Sequence, residues 1–508
     1  MEYHLTKKSI NTARCALDTA AEQAVDIDLT LPDYCPDVER ILSCTLMPQI
    51  YMSNVSGDRL SVEGGANVRI LYLDGERGCM RAYEYTQPFS QSLPLKGDVA
   101  DCAVSVEAKP EYMNCRALSP RKLSLHGAFS LCAKVEESCE TAYYTYEDGG
   151  DLQVKSESIA ASSLCGLCTE SFSVQEDVSV NAKSGISALL THRLTSRITE
   201  LKTIHNKIML SADLKLELIY LCGVDKPETE CMSYNIPISR VVDCEGASED
   251  VVIDGALNVM SADVRLSDDT GDGSQLLLLD AKLCFSARCY EEREIAVLSD
   301  AYSVDSEVQA REEPFSCRCG VICRTYTDIG KTNVGVDDEI GRVIDIHCEK
   351  LNTSVIHNHD SVILNTKLCV GILYENSGGE IRCVERDAEF SYQPDTDGCE
   401  EIMRYTTAVD SLSYRLTDSS HMELRAELVY RLTMCSRKGC TALASVTADD
   451  DAPTREKNGA LILYFTDSDD SVWDIAKRFR SRVQDVIAEN DLEEDGVKGG
   501  MMLLIPTV

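Results

Sequence analysis

"LSVEGGANVRILYL" (60–73), "MLSADLKLELIYL" (209–221) and "ILNTKLCVGILYE" (363–375) are three versions of one phrase. Aligning Tyr72, Tyr220 and Tyr374 places Ile70, Leu218 and Ile372 two residues back. Val68, Leu216 and Val370 come next, then Ala66, Leu214 and Leu368. The positions between hold Arg69, Glu217 and Gly371, and Asn67, Lys215 and Cys369. A period of two predicts a strand with one buried face. A second phrase follows each first one: "LSLHGAFSL" (123–131), "LLLDAKLCF" (277–285) and "MELRAELVY" (422–430). Leu125, Leu279 and Leu424 align, followed inward by Gly127, Ala281 and Ala426 and outward by His126, Asp280 and Arg425. A small residue at one inward place predicts close backbone approach.

The tyrosines are spaced by 148 and 154 residues, the leucines by 154 and 145. Two markers with nearly one period predict tandem domains of roughly 150 residues, each large enough for its own core. We place them at 20–165, 170–320 and 322–447. Breaks in "YLDGERGCMRAYEY" and "YENSGGEIRCVERDAEF" read as hairpins. Near the start of each domain, "PDVERILSC", "SGISALLTHRL" and "DDEIGRVIDIHC" space their apolar residues as a short helix would. The expected class is mainly β: three antiparallel, sandwich-like domains with a helix each.

Composition agrees. Hydrophobic residues make up 44% of the 508, aromatics only 6%, so branched aliphatics and cysteine must fill the cores. A charge of −36 at pH 7 disfavours nucleic acid and anionic lipid as partners. The opening "MEYHLTKKSINTARCALD" has no apolar h-region, and no run approaches a membrane span. A cytosolic chain is therefore expected, with most of its 24 cysteines reduced and buried as small hydrophobes.

"ADDDAPTREKN" (448–458) is charged and aperiodic, a linker that could span about 30 Å. Beyond it, 459–508 reads strand ("LILYFT"), helix from Ser471 with an S-x-x-D cap at Asp474, helix ("VQDVIAEN"), strand ("MMLLIP"). Trp473, the only tryptophan, stands at the head of the first helix. These residues resemble a LysM domain: Tyr464 in the first strand, Asp469, Asp470, Ser471 and Trp473 at the first turn, Asn490 and Leu492 after the second helix, and Gly500, Leu503, Ile505 and Pro506 at the close. The resemblance implies a βααβ fold and a groove between two loops. Asp469, Asp470 and Ser471 would form one side and Asp491, Leu492 and Glu493 the other. LysM modules bind N-acetylglucosamine glycans such as peptidoglycan. Here the usual glycine is Asp469 and the second loop reads "DLEEDG", which suits a basic protein surface better than a neutral glycan. Trp473 is either an aromatic anchor in that groove or a core residue.

"LPDYCPD" (31–37), before "VERILS", is similar to the signature of SipL-like spore-coat morphogenetic proteins, in which tandem copies of one domain precede a C-terminal LysM module. The resemblance implies a non-enzymatic adaptor in the mother-cell cytosol. It would bind the coat scaffold ATPase, stage IV sporulation protein A (SpoIVA), at the forespore surface. Only the first domain carries the seven-residue run. A LysM-bearing envelope protein and a wall hydrolase are the competing classes.

Little else suggests chemistry. "CGLC" (165–168) is half a zinc site, with "CRCGVIC" (317–323) the one dense candidate for a second half. "HNHD" (357–360) reads as a polar turn. No phosphate loop, G-x-S-x-G or H-E-x-x-H occurs. Neither catalytic residues, nor a metal, nor a cofactor is expected.

Overall fold

In the computed structural model, residues 1, 77, 98, 100–101, 148–149, 181–184, 224–226, 268–274, 359–360, 450–460, 494–495 and 507–508 are outside the description; all others are described. The first six strands are β1 (Thr6–Thr30), β2 (Val38–Ser56), β3 (Arg59–Asp74), β4 (Met80–Pro94), β5 (Cys102–Ser119) and β6 (Lys122–Thr145). They form two three-stranded antiparallel sheets, ordered β2-β3-β4 and β1-β6-β5. The same order recurs in β7 (Leu152–Ser179), β8 (Ile186–Ile204), β9 (Lys207–Cys222), β10 (Glu228–Asp243), β11 (Val252–Ser267) and β12 (Leu276–Ser303). It recurs again in β13 (Val308–Gly335), β14 (Ile340–Asn358), β15 (Ser361–Asn376), β16 (Ile381–Tyr392), β17 (Glu401–Leu416) and β18 (His421–Ala448). The two sheets of the second set share one apolar core, as do those of the third. The tyrosine phrase forms the central strands β3, β9 and β15, and the leucine phrase the central strands β6, β12 and β18. Tyr72, Tyr220, Tyr374, Leu125, Leu279 and Leu424 are all buried. Gly127 fits the close approach expected of it: a Cβ there would lie 2.6 Å from the Tyr112 carbonyl oxygen. The expected breaks at 165–170 and 320–322 fall inside β7 and β13, and β1 begins at Thr6, ahead of residue 20.

The three expected helices are strands. Their apolar spacing has a different cause, a pair of β-bulges three residues apart. Register shifts occur between Val38/Arg40 and Ile41/Ser43 in β2, between Ile186/Ala188 and Leu189/Thr191 in β8, and between Ile340/Arg342 and Val343/Asp345 in β14. Each bulge inserts one residue, so inward side chains recur every third residue instead of every second. A three-residue spacing imitates a helix face. Tyr72, Tyr220 and Tyr374 stand opposite Ile41, Leu189 and Val343, the residues between the two bulges.

The bulges also have a use. The inserted Leu42, Leu190 and Ile344 turn to the opposite face and meet in one cluster with Leu71, Ile219 and Leu373. The three six-strand sets thus touch through equivalent residues. This is why the latter half of β3 is buried on both faces, where alternation predicted only one. A second three-way cluster forms where β1/β6, β7/β12 and β13/β18 run past their sheets, joining Ile10, Tyr143, Ile159, Ile295 and Phe315.

The chain ends with β19 (Leu461–Phe465), α1 (Val472–Phe479), α2 (Val483–Glu489) and β20 (Met502–Pro506), with β19 and β20 paired antiparallel. Ser471 caps α1, its hydroxyl accepting from the Asp474 N–H and donating to the Asp474 carboxylate at 2.6 Å. Val472, Ile475, Ala476, Val486, Leu503 and Ile505 form the core beneath. Most of the expected linker, 450–458, lies outside the described residues, as do His359 and Asp360 of "HNHD".

Candidate functional site

The C-terminal segment uses most of the expected groove residues internally. Asp470 closes its own loop, accepting from the Tyr464 hydroxyl at 2.7 Å and the Asp467 N–H at 2.8 Å. These bonds hold its carboxyl below the usual range. Asn490 ties α2 to β20: its amide donates to the Val486 and Leu504 carbonyls and its oxygen accepts from the Leu504 N–H, all within 2.8 Å. Leu492 packs into the segment's core. Asp469, Asp491 and Glu493 remain exposed. Among the described residues no hydrogen bond or ion pair joins 469–471 to 491–493, so the two sides of the expected groove are not linked.

Trp473 is half-buried against the end of the second six-strand set. Its indole N–H donates to Asp300 Oδ2 at 2.8 Å, and its ring lies edge-on to Tyr302 with centroids 5.0 Å apart. Lys477 Nζ reaches both Asp300 oxygens at 2.7 Å, Arg480 pairs with Glu307 at 2.8 Å, and the Tyr302 hydroxyl donates to the Ser481 carbonyl at 2.6 Å. One turn of α1 and the residues just after it are therefore fastened to the end of β12 and the turn beyond it. Burial opposes ionisation of Asp300, but Lys477 and the indole outweigh it and hold the carboxyl low. A linker of about 30 Å reach would let the segment swing relative to the rest of the chain; instead the segment is docked, and Trp473 is an intramolecular anchor. Sequence carried no signal for Asp300, which lies 173 residues away. Asp300→Ala should release this contact at a cost on the order of 1–2 kcal/mol. Because Trp473 is the only tryptophan, its emission should shift red and its quenching by acrylamide should rise. Unchanged emission would mean that the contact does not hold the segment.

A small cavity lies where the three sets meet. It has about 30 Å³, room for about one water molecule, and is lined by Thr45, Arg69, Thr191, Arg193, His347 and Glu349 among others. Each of its charged groups has a partner. Arg69 from β3 donates to Thr191 Oγ1 at 2.6 Å and to the His192 carbonyl at 3.0 Å in β8, and is paired with Glu84 of β4. Arg193 reaches Asp345 of β14 at 2.7 Å, and His347 lies between Asp345 (2.7 Å) and Glu349 (2.6 Å). Burial and Arg193 oppose a charged His347, but its two carboxylate partners prevail and raise its pKa. The bonds from Arg69 to β8 and from Arg193 to Asp345 cross from one set to the next. The cavity is a structural junction. Among the described residues, no group of three or more His, Cys, Asp or Glu is arranged to hold a metal ion. "CGLC" and "CRCGVIC" do not combine: Cys165 and Cys168 lie near Cys244 and Cys289, while Cys317 is buried among Ile159, Phe315 and Ala442.

The "LPDYCPD" run is a turn between β1 and β2. Arg121 clamps it, donating to the carbonyls of Leu31, Pro32 and Cys35 and to Asp37. Cys35 is buried and Tyr34 is exposed. A family model described as the SipL, SPOCS domain matches residues 37–118 and 186–267. These stretches correspond to β2–β5 and β8–β11, each starting at the twice-bulged strand. No curated protein and no solved structure matches the chain. Among the described residues, no helix is long and apolar enough to cross a membrane.

Proposed function

We propose that this chain is a non-enzymatic adaptor in spore-coat assembly, built from three tandem β domains and a C-terminal LysM-type module, and that the module recruits the coat scaffold ATPase, stage IV sporulation protein A. The observation that carries this reading is the pair of segments similar to the SipL domain, which points to a sporulation-related protein. The third six-strand set repeats the strand pairing of the two matched sets, which supports three domains. The strand-helix-helix-strand order after residue 460 supports the LysM assignment. The adaptor works in the mother-cell cytosol, on the forespore surface.

With Asp470, Ser471, Trp473, Asn490 and Leu492 engaged internally, the partner-facing groups are Asp469, Asp491 and Glu493. Three carboxylates on a chain of net charge −36 steer a basic surface and tolerate salt poorly. A titration of the full chain with the scaffold ATPase tests this. Asp491→Lys and Glu493→Lys together should weaken binding at least about tenfold, mostly through the on-rate, and flatten its salt dependence. Undiminished binding by the double variant would remove the carboxylates from the interface.

A further inference from the structure

Four thiols converge in the second six-strand set. Cys165 and Cys168 come from β7, Cys289 from β12, and Cys244 from the turn after β10. The backbone is shaped to bring them together. Gly246 has φ +84°, and a Cβ on it would land on the Cys165 carbonyl. A Cβ on Gly166 would lie 2.9 Å from the Cys244 sulfur and 3.3 Å from Cys289 Cβ. Two glycines facing each other let the 244–247 turn lie directly on β7. The register shift in the β7/β12 ladder between Cys289 and Tyr290 leaves Cys165 as the inserted residue, and its thiol donates to the Cys289 carbonyl at 3.2 Å. The sulfurs of Cys244 and Cys289 are 3.9 Å apart, and Cys168, two residues from Gly166 on the same face of β7, packs against the core that holds both. Cys244 and Cys289 are buried, Cys168 half-buried, and all are free thiols.

We propose that Cys168, Cys244 and Cys289 form a peroxide-responsive disulfide relay that pivots on Cys244. Cys168 is the one of the three that solvent reaches. Cys168 loses its proton as its sulfur attacks hydrogen peroxide, gaining one oxygen as the sulfenic acid, while hydroxide leaves and takes up that proton as water. The Cys244 thiolate attacks the Cys168 sulfur, the sulfenic oxygen departs as a second water, and the Cys168–Cys244 disulfide forms. Cys289, already in contact with Cys244, attacks the Cys244 sulfur and returns Cys168 to the thiol. Closing the Cys244–Cys289 contact to a bond takes an approach of about 2 Å. Hydrogen bonds from Cys168 and Cys289 lower the Cys244 pKa and raise those of its neighbours, which favours Cys244 as the attacking thiolate. The product ties the turn after β10, in one sheet, to the central strand of the other and locks the pair of sheets together.

The test is to treat the reduced full chain with hydrogen peroxide, alkylate the remaining thiols and map cross-linked peptides by mass spectrometry. The Cys168–Cys244 peptide should form first and pass to Cys244–Cys289, ahead of oxidation at the other cysteines. Cys289→Ser should stop the sequence at Cys168–Cys244. Cys168→Ser, at a half-buried position where folding is least at risk, should lose both cross-links. Cys244→Ser should leave a Cys168 sulfenic acid that dimedone traps. If Cys244 remains fully alkylatable after treatment while circular dichroism shows the fold intact, the proposal is wrong. Undiminished Cys244–Cys289 formation in Cys168→Ser would equally overturn it.

Discussion

Replacing Glu136 by alanine should destabilise the folded chain by about 3–5 kcal/mol, the usual consequence of removing one partner from a buried ion cluster. Glu136 sits on β6 in the first six-strand set. Its carboxylate pairs with Arg288 of β12 in the second set and, at 2.7 Å, with Arg404 of β17 in the third. Arg404 also pairs with Asp254 of β11 at 3.1 Å, which in turn accepts from Thr433 of β18. Burial opposes the charge on Glu136, yet the two guanidiniums and Lys134 hold its pKa down to about 2. Arg288 is fully buried, and two of its N–H-bearing nitrogens have no partner among the described residues. Losing Glu136 would leave that cation uncompensated. Among the described residues, the neighbouring Glu137 pairs only with an exposed arginine, Arg14, so Glu137→Ala should shift the urea midpoint far less. Equal shifts for the two variants would show that Glu136 does not join the three sets.

The second large effect is one of pH. His192 Nδ1 faces the Arg69 guanidinium at 3.1 Å, and Nε2 faces the Ala262 carbonyl at 3.4 Å. Arg69 can only donate, so Nδ1 must accept and the proton belongs on Nε2. Burial first and Arg69 second push the His192 pKa down to about 4. The folded state therefore prefers the neutral ring. Its contribution is complete above the unfolded value near ~6.5 and is lost as pH falls from there towards the folded value. The loss should be on the order of 3 kcal/mol. His347 has the opposite sign: its raised pKa contributes fully below ~6.5 and is lost at higher pH. The two must therefore be separated by substitution. His192→Gln can keep both hydrogen bonds without titrating. Denaturant midpoints for the native chain, relative to this variant, should fall on acidification below pH ~6.5. Parallel curves would show that His192 does not titrate in this interval.

Much of the architecture was legible because alternation survives wherever one face of a strand meets water. His126, Asp280 and Arg425 are exposed, and the inward leucines beside them are buried. It failed where strands are bulged. Val38, Ile41 and Cys44 recur every third residue, and nothing within "VERILSC" separates two bulges from one turn of helix. It failed again where an outward face meets another six-strand set. Arg69 reads as a solvated strand residue, and only its burial against Thr191 and His192, more than a hundred residues away, makes it structural. The candidate site divides in the same way. The Ser471 cap and the order of the last four elements are local and were readable. The partner of Trp473, and the meeting of "CGLC" with Cys244 and Cys289, depend on long-range contacts that leave no local pattern.

The most direct measurement of the adaptor reading is a calorimetric titration of the full, reduced chain, first with the purified coat scaffold ATPase and then with N-acetylglucosamine oligomers, each at low and physiological salt. The account predicts saturable binding of the ATPase that weakens as salt rises and is reduced by Asp491→Lys with Glu493→Lys, with no heat from the oligomers. Saturable binding of the oligomers, together with no binding of the ATPase at either salt, would contradict it.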